Sequence, residues 1–161
     1  SGVYEYQSGF PYPVYSGVPV FPGTAGGPSF WRKITRDFAS MSNNLDVFDF
    51  TLTTAVAKQV VHDVLVKHTT PFSGSPAFTT YSVSVGVSGD PQRYINDFDC
   101  FQGTSGTTFA AGNPSRSPEL DVPNFDDSRI ILIRARTDLT AKLGHAVIGS
   151  VDIYINFSNL P

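Results

Sequence analysis

Alternating apolar and polar positions between residues 60 and 87 predict two β-strands. Residues 81–87 place tyrosine or valine at every odd position, with serine and glycine between them. This period of two is typical of a strand with one buried face and one wet face. Residues 60–68 alternate less cleanly, and we expect His62 and His68 to share a face with two valines. The link 69–76 carries two prolines and a glycine, so we expect it to end the first strand and turn the chain into an antiparallel second strand.

The same alternation recurs along the rest of the chain. Residues 45–57 place Phe48, Phe50 and Leu52 on one face, and residues 94–101 form a further candidate strand. Two more strands close the chain, near 131–136 and 150–157. Short strands joined by glycine and proline turns are typical of a β-sandwich. We therefore predict an all-β chain: a single β-sandwich of jelly-roll type with an extended N-terminal arm.

The first 33 residues differ in composition from the rest of the chain. They hold five prolines and six glycines, and Glu5 is the only charged side chain before Arg32. Prolines at this density forbid a continuous helix or central strand, while aromatic, uncharged composition favours contact with a surface. We predict an arm, residues 1–33, that lies either on its own domain (34–161) or on a neighbour. Its candidate partner-binding residues are Tyr4, Tyr6, Phe10, Tyr12, Tyr15, Phe21, Phe30 and Trp31.

Residues 102–127 predict a long irregular excursion. Small polar residues and prolines fill its first half, and four acidic residues lie in its second half. Connections in compact domains are usually about four to six residues long, so a loop of this length is typically functional, intersubunit or mobile. We interpret its acidic residues as a solvated surface rather than a calcium site, because the EF-hand spacing is absent.

Charge and length exclude several classes of function. The chain has 161 residues and a net charge of −3, enough for one domain with a core. It has no basic cluster, so we expect neither nucleic acid nor an anionic membrane as a partner, and we interpret Arg32, Lys33 and Arg36 as a solvated face. No apolar run approaches the roughly 20 residues of a membrane span. Cys100 is the single cysteine, so no intrachain disulfide is possible.

Candidate chemistry is sparse. His62 and His68 would lie roughly 20 Å apart along one strand, too far to share a metal ion, and nothing in the spacing joins His145 to either. Asp97 and Asp99 would be about 6 to 7 Å apart on one strand face, a separation found in glycosidases, but any strand with two acids gives it. Without a nucleophile elbow, P-loop or dinucleotide fingerprint, we predict a non-enzyme with no catalytic residue, no metal and no cofactor.

Four strand-like segments of the chain together carry a resemblance: 60–69, 81–87, 98–102 and 146–161. Their order resembles that in small virion proteins of tailed bacteriophages and their prophage relatives. The resemblance covers roughly residues 45–161, and the closing GSVDIYINFSNLP resembles the last strand of β-sandwich decoration and fibre-associated proteins. The motifs are strand patterns, so the resemblance transfers no catalytic residue.

The resemblance implies a non-enzymatic structural protein of the virion, assembled in the host cytoplasm. Its most direct interpretation is a capsid decoration or cement protein, a homotrimer that binds the major capsid protein or another virion protein. The alternative is a tail- or head-fibre component, or a receptor- or glycan-binding module that uses a loop such as 102–127. Exposed aromatic rings favour adhesion in both cases, because they stack on protein or on the apolar side of a sugar.

Overall fold

The computed structural model describes residues 29–101, 108–111 and 127–159, with backbone alone for 108–111. Within these ranges the chain forms eight β-strands and one short 3₁₀ turn, Leu143–His145, and no helix long or apolar enough to cross a membrane. The prediction of an all-β chain is therefore confirmed. In chain order the strands are β1 (Phe30–Asp37), β2 (Val47–Ala55), β3 (Gln59–Gly74), β4 (Tyr81–Val87), β5 (Asp90–Asp99), β6 (Thr108–Ala111), β7 (Arg129–Thr137) and β8 (Ala146–Asn159).

These eight strands form two four-stranded antiparallel sheets. The first sheet has the order β1-β8-β3-β6, and the second has the order β2-β7-β4-β5. Every connection between consecutive described strands, except that from β4 to β5, passes from one sheet to the other. The paired strands are nested along the chain: the pair β4–β5 lies inside β3–β6, which lies inside β2–β7 and then β1–β8. The sandwich is confirmed, and we interpret this nesting as the wound ribbon of a jelly roll.

The core lies between the two sheets and is built from alternate residues of facing strands. In β7, Ile131 and Ile133 are fully buried, and in β8 the same holds for Ile153 and Ile155. Burying one such aliphatic side chain contributes about 1.5–3 kcal/mol. The alternation predicted for both closing strands is confirmed, because each strand turns one face to this core.

The predicted pairing of the strands at 60–68 and 81–87 is wrong. Strand β3 pairs with β8 and β6, whereas β4 pairs with β7 and β5, so the two strands lie in opposite sheets. Residues 75–80 carry the chain between the sheets. Alternation identifies the buried face of a strand but not the strand with which it pairs. Two valine faces can be buried by facing each other across the sandwich as well as by lying side by side in one sheet.

The predicted end of the first of these strands is also wrong. Strand β3 continues through Pro71 to Gly74, and its register with β8 shifts between Thr70 and Ser73. A proline is tolerated in a strand where pairing is irregular, because no ladder donor is then required of it. The backbone N–H of Phe72 donates instead to the carbonyl of Cys100 at 2.9 Å.

An irregularity at the start of β3 separates the two histidines that we expected on one face. The register with β8 shifts between Val61 and Asp63, and this extra residue reverses the alternation, as a β-bulge does. His62 is therefore exposed, while His68 is only 1% exposed and faces the core. Two expected boundaries also differ: residues 30–33 belong to β1 rather than to an arm, and β6 lies inside the excursion expected to be irregular.

Candidate interaction surface and cleft

Strand β1 lies at an edge of the first sheet and brings two of the predicted partner-binding residues to the surface. Phe30 is 37% exposed and Trp31 is 50% exposed. Phe30 aligns with Phe157 on the core side, where the ring centroids are 5.8 Å apart, while Trp31 aligns with Asn156 on the outer side. The other six predicted residues lie outside the described residues: Tyr4, Tyr6, Phe10, Tyr12, Tyr15 and Phe21.

Two arginines join β1 to β2, the edge strand of the second sheet on the same side of the sandwich. Nη1 of Arg32 donates to Oγ1 of Thr53 at 3.0 Å, and Nη2 of Arg36 donates to the carbonyl of Leu52 at 3.0 Å. Both arginines occupy core-side positions of an edge strand, and inward-pointing charges oppose edge-to-edge pairing. These arginines therefore do more than form the solvated face that we expected from the sequence.

Aromatic side chains line this side of the sandwich on both edge strands. Phe48 of β2 is 39% exposed, and its ring meets that of Phe50 edge-on, with centroids 4.8 Å apart. Phe30, Trp31, Phe48 and Phe50 are called the aromatic margin below. Because the inward arginines oppose strand addition, contacts at this margin are expected to come from side chains rather than from backbone pairing.

The three histidines serve separate local structures. His62 hydrogen-bonds the hydroxyl of Ser158, and Nδ1 of His145 accepts from the backbone N–H of Lys142 at 3.2 Å. The ring of His68 lies 5.8 Å from that of Phe98 inside the core. Among the side chains that the structure describes, no group of three or more His, Cys, Asp or Glu residues is arranged to hold a metal ion.

The structure places Asp97 and Asp99, the carboxylate pair considered from the sequence, in one cleft of about 450 Å³. Asp97 has a φ of 49°, a left-handed conformation that is uncommon outside glycine but that aspartate tolerates better than most residues. It lies where the pairing of β4 and β5 is irregular. The lining residues are Thr79, Thr80, Tyr81, Ser82, Asp97, Asp99, Phe101 and Arg136.

Both carboxylates of this cleft already accept hydrogen bonds from their surroundings. Oδ1 of Asp97 lies 3.3 Å from the hydroxyl of Ser84, and Oδ2 lies 3.9 Å from Nη1 of Arg136. Oδ1 of Asp99 accepts from the backbone N–H of Phe101 at 2.8 Å. Glycoside hydrolysis needs one carboxyl group that gives a proton to the leaving group, and the hydrogen bonds around Asp97 and Asp99 single out neither residue for that role. We assign neither residue an acid–base role.

Asp138 fixes one wall of the cleft. Its two carboxylate oxygens accept four hydrogen bonds of 2.6–2.8 Å, from the hydroxyl and the backbone N–H of both Thr80 and Thr79. The hydroxyl of Thr80 and the N–H of Thr79 are the main reasons that the pKa of Asp138 falls from 3.8 to about 2. The Thr79–Thr80 segment is therefore held against the loop after β7. Sequence reasoning missed this wall, because Asp138 is distant in sequence from the residues that it holds.

Comparison with known structures finds a similar fold in chains of two phage capsids. No family model matches the chain, and no curated protein matches it. A chain of the cyanophage Pam1 capsid asymmetric unit is similar in structure, with a TM-score of 0.57, 15% identity and coverage of 92% of this chain and 94% of that one. A chain of the capsid of Ralstonia phage GP4 is similar with a TM-score of 0.55, 11% identity and coverage of 89% and 92%. At such low identities the likeness shows a shared fold.

Proposed function

We propose that this chain is a structural protein of a phage virion, and more specifically a decoration or cement protein that binds the capsid shell and stabilises it. The observation that carries this proposal is the fold that the chain shares, over about nine tenths of its length, with chains of two phage capsids. A fold does not by itself imply a function, so the surface chemistry of the chain must supply the second argument.

The aromatic margin and the segment that precedes it supply that argument. Residues 1–28 carry six aromatic side chains and one charge, and they come shortly before Phe30 and Trp31 in the sequence. A large aromatic side chain buries about 150–250 Å². The eight predicted partner-binding residues together could thus approach the roughly 1,600 Å² of a standard interface. We infer that the aromatic margin and the segment before it bind the major capsid protein or another virion protein.

We further propose that the sandwich forms a homotrimer. Three linked copies would each present an aromatic margin, and once one margin is bound the next binds at a high effective concentration. Such multivalency offsets the free energy lost when an extended segment is ordered on binding. A single weak contact per chain would then suffice for stable attachment to the virion, where we place the protein.

Removing the N-terminal segment tests the proposal. A variant that lacks residues 1–29 keeps all of β1, and we expect it to stay folded and trimeric, with a mass near three times that of the shortened chain. We expect it to lose attachment when mixed with particles of the parent phage that lack the protein, as measured by co-sedimentation. Trp31→Ala should weaken attachment in the same assay.

Leu139→Ala is the matched control, because Leu139 is 88% exposed and lies outside the aromatic margin. It should attach as the unaltered chain does. Undiminished attachment of both the truncated variant and Trp31→Ala would contradict the role given to this surface. Failure of the unaltered chain to attach to any particle would contradict the proposed function as a whole.

A further inference from the structure

We propose that the cleft lined by Asp97, Asp99, Phe101 and Arg136 binds a saccharide unit. This cleft is called the carboxylate cleft below. The inference rests on the geometry of the cleft alone and does not depend on attachment to a capsid. It adds a second, small-ligand site to a chain whose proposed role is otherwise adhesive.

The size and the lining of the cleft suit one or two sugar rings. Its volume of about 450 Å³ lies within the roughly 300–1,000 Å³ of small-ligand sites. Thr79, Thr80 and Ser82 line it together with Phe101. Such sites combine an apolar surface with a few convergent polar groups that fix the orientation of the ligand.

The polar groups of the cleft are complementary to a ligand that both donates and accepts hydrogen bonds. Asp97 and Asp99 can only accept when ionised, and Arg136 can only donate. The side chain of Arg136 is 42% exposed, and its Nη1 lies 3.9 Å from Oδ2 of Asp97, beyond hydrogen-bond distance. Neighbouring hydroxyl groups on a sugar ring satisfy both needs, because each hydroxyl donates and accepts.

Simple ions fit the same groups poorly. An anion would meet two carboxylates, and like charges at close range repel. A metal ion would meet the guanidinium of Arg136, whose charge has the same sign. A neutral polyhydroxylated ligand avoids both repulsions, which is why we prefer it to a phosphate or a cation.

The cleft is preorganised at both walls. The left-handed backbone of Asp97 costs about 1–3 kcal/mol, and such conformations persist where the surroundings fix them, often at ligand clamps. Here the backbone N–H of Asp97 donates to the hydroxyl of Ser84 at 2.9 Å. On the facing wall Asp138 holds Thr79 and Thr80. A rigid site loses little conformational entropy when it binds a ligand.

Phe101 supplies the apolar surface. Its ring meets that of Phe78 edge-on, with centroids 5.8 Å apart and planes at 65°. Phe78 is buried, so it holds the orientation of the half-buried Phe101 ring. Aromatic rings fixed in this way can cover the apolar side of a sugar while its hydroxyls face the carboxylates.

Saturation-transfer NMR on the full chain tests the proposal. The probes are methyl glycosides of glucose, galactose, mannose, rhamnose, N-acetylglucosamine and N-acetylgalactosamine, each at millimolar concentration. We expect at least one to receive saturation, with at least a tenfold weaker Kd for Asp97→Asn and for Arg136→Met. Asn tolerates the left-handed backbone of Asp97, so the first variant is expected to fold.

Asp63→Asn in β3 is the matched control, because it removes a carboxylate from the other sheet and should leave binding unchanged. Phe101→Leu is a second variant of the cleft and should also weaken binding, measured at a temperature at which its thermal unfolding curve shows that it is folded. The proposal is overturned if none of the six glycosides receives saturation, or if Asp97→Asn and Arg136→Met both bind as the unaltered chain does. Capsid attachment is measured separately on particles, so failure of one proposal leaves the other standing.

Discussion

The rings of Phe72 and Tyr81 stack face to face across the two sheets, with centroids 4.2 Å apart and planes 10° apart. Phe72 lies near the end of β3 and Tyr81 begins β4, and both are almost fully buried. Backbone bonds reinforce the stack, because Cys100 accepts from the N–H of Phe72 and donates to the carbonyl of Tyr81 at 2.8 Å. The two sheets are thus fastened together at the point where the chain crosses between them.

Phe72→Ala should lower the free energy of unfolding by about 3–5 kcal/mol, the range for removing a buried phenylalanine ring. The cost combines lost burial with the cavity left beside Tyr81. Phe48→Ala is the matched control, since Phe48 is partly exposed at the aromatic margin and should cost much less. Denaturant unfolding of the unaltered chain and the two variants measures both losses of unfolding free energy. Equal losses would contradict the role assigned to the stack.

Gly149→Ala should be strongly destabilising, because two effects combine at this position. Gly149 has a φ of 144°, and a Cβ there would collide with the ring of Phe72. Gly89→Ala isolates the first effect: Gly89 has a φ of 90° with nothing within 4 Å of the added atom, so only backbone strain of about 1–3 kcal/mol applies.

A double mutant separates the effect of this collision from that of backbone strain. Phe72→Ala removes the ring that the new methyl group would meet, so Gly149→Ala should cost less in that background than in the unaltered chain. Denaturant unfolding of the four proteins of the cycle gives the coupling. Strict additivity, or a cost of Gly149→Ala no larger than that of Gly89→Ala, would show that the methyl group is accommodated without moving Phe72.

Asp138 should make stability depend on pH in the acidic range. Its pKa is about 2 in the folded chain, below the ordinary 3.8, so its contribution is fully present above about pH 4 and is lost as the pH falls towards 2. Asp138→Asn should therefore lower the denaturant midpoint at pH 6, and the two proteins should converge near pH 2. A difference that persists unchanged at pH 2 would mean that the carboxylate charge is not the cause.

The Cys100 thiol should be unreactive in the folded chain. The side chain is fully buried, and burial raises its pKa well above the ordinary value, so the reactive thiolate is scarce at neutral pH. An aromatic disulfide reagent at pH 8 should modify the folded protein only at the rate of unfolding and the denatured protein at once. Rapid labelling without denaturant would show that this part of the core opens.

The strands that sequence predicted best are those with one regular inner face. In β7 and β8 the alternation is unbroken from Ile131 and from Val151, so the buried residues could be identified directly. Prediction failed where one extra residue shifts the register, as it does beside His62, because a bulge leaves no trace in an apolar pattern. It also failed for the partners of β3, which are chosen by the wound connectivity and not by adjacency in the chain.

The candidate sites were predictable in part. Composition alone singled out Phe30 and Trp31, because eight aromatic residues with one charge are unusual in so short a segment. The spacing of two residues along one strand was enough to predict that Asp97 and Asp99 lie close together. Arg136 and Asp138 carried no such signal, since they reach the carboxylate cleft only through the pairing of β4 with β7, which sequence reasoning did not identify.

The pairing of the first described strand with the last has a consequence for biosynthesis. Thr35 of β1 donates to Asp152 of β8 across a separation of 117 residues, and β8 also separates β1 from β3. On the ribosome β1 must wait unpaired until β8 emerges, because β8 is its one partner among the described strands. Contacts so distant in sequence make folding slow, and the two arginines that point inward from β1 oppose premature association between nascent chains during that wait.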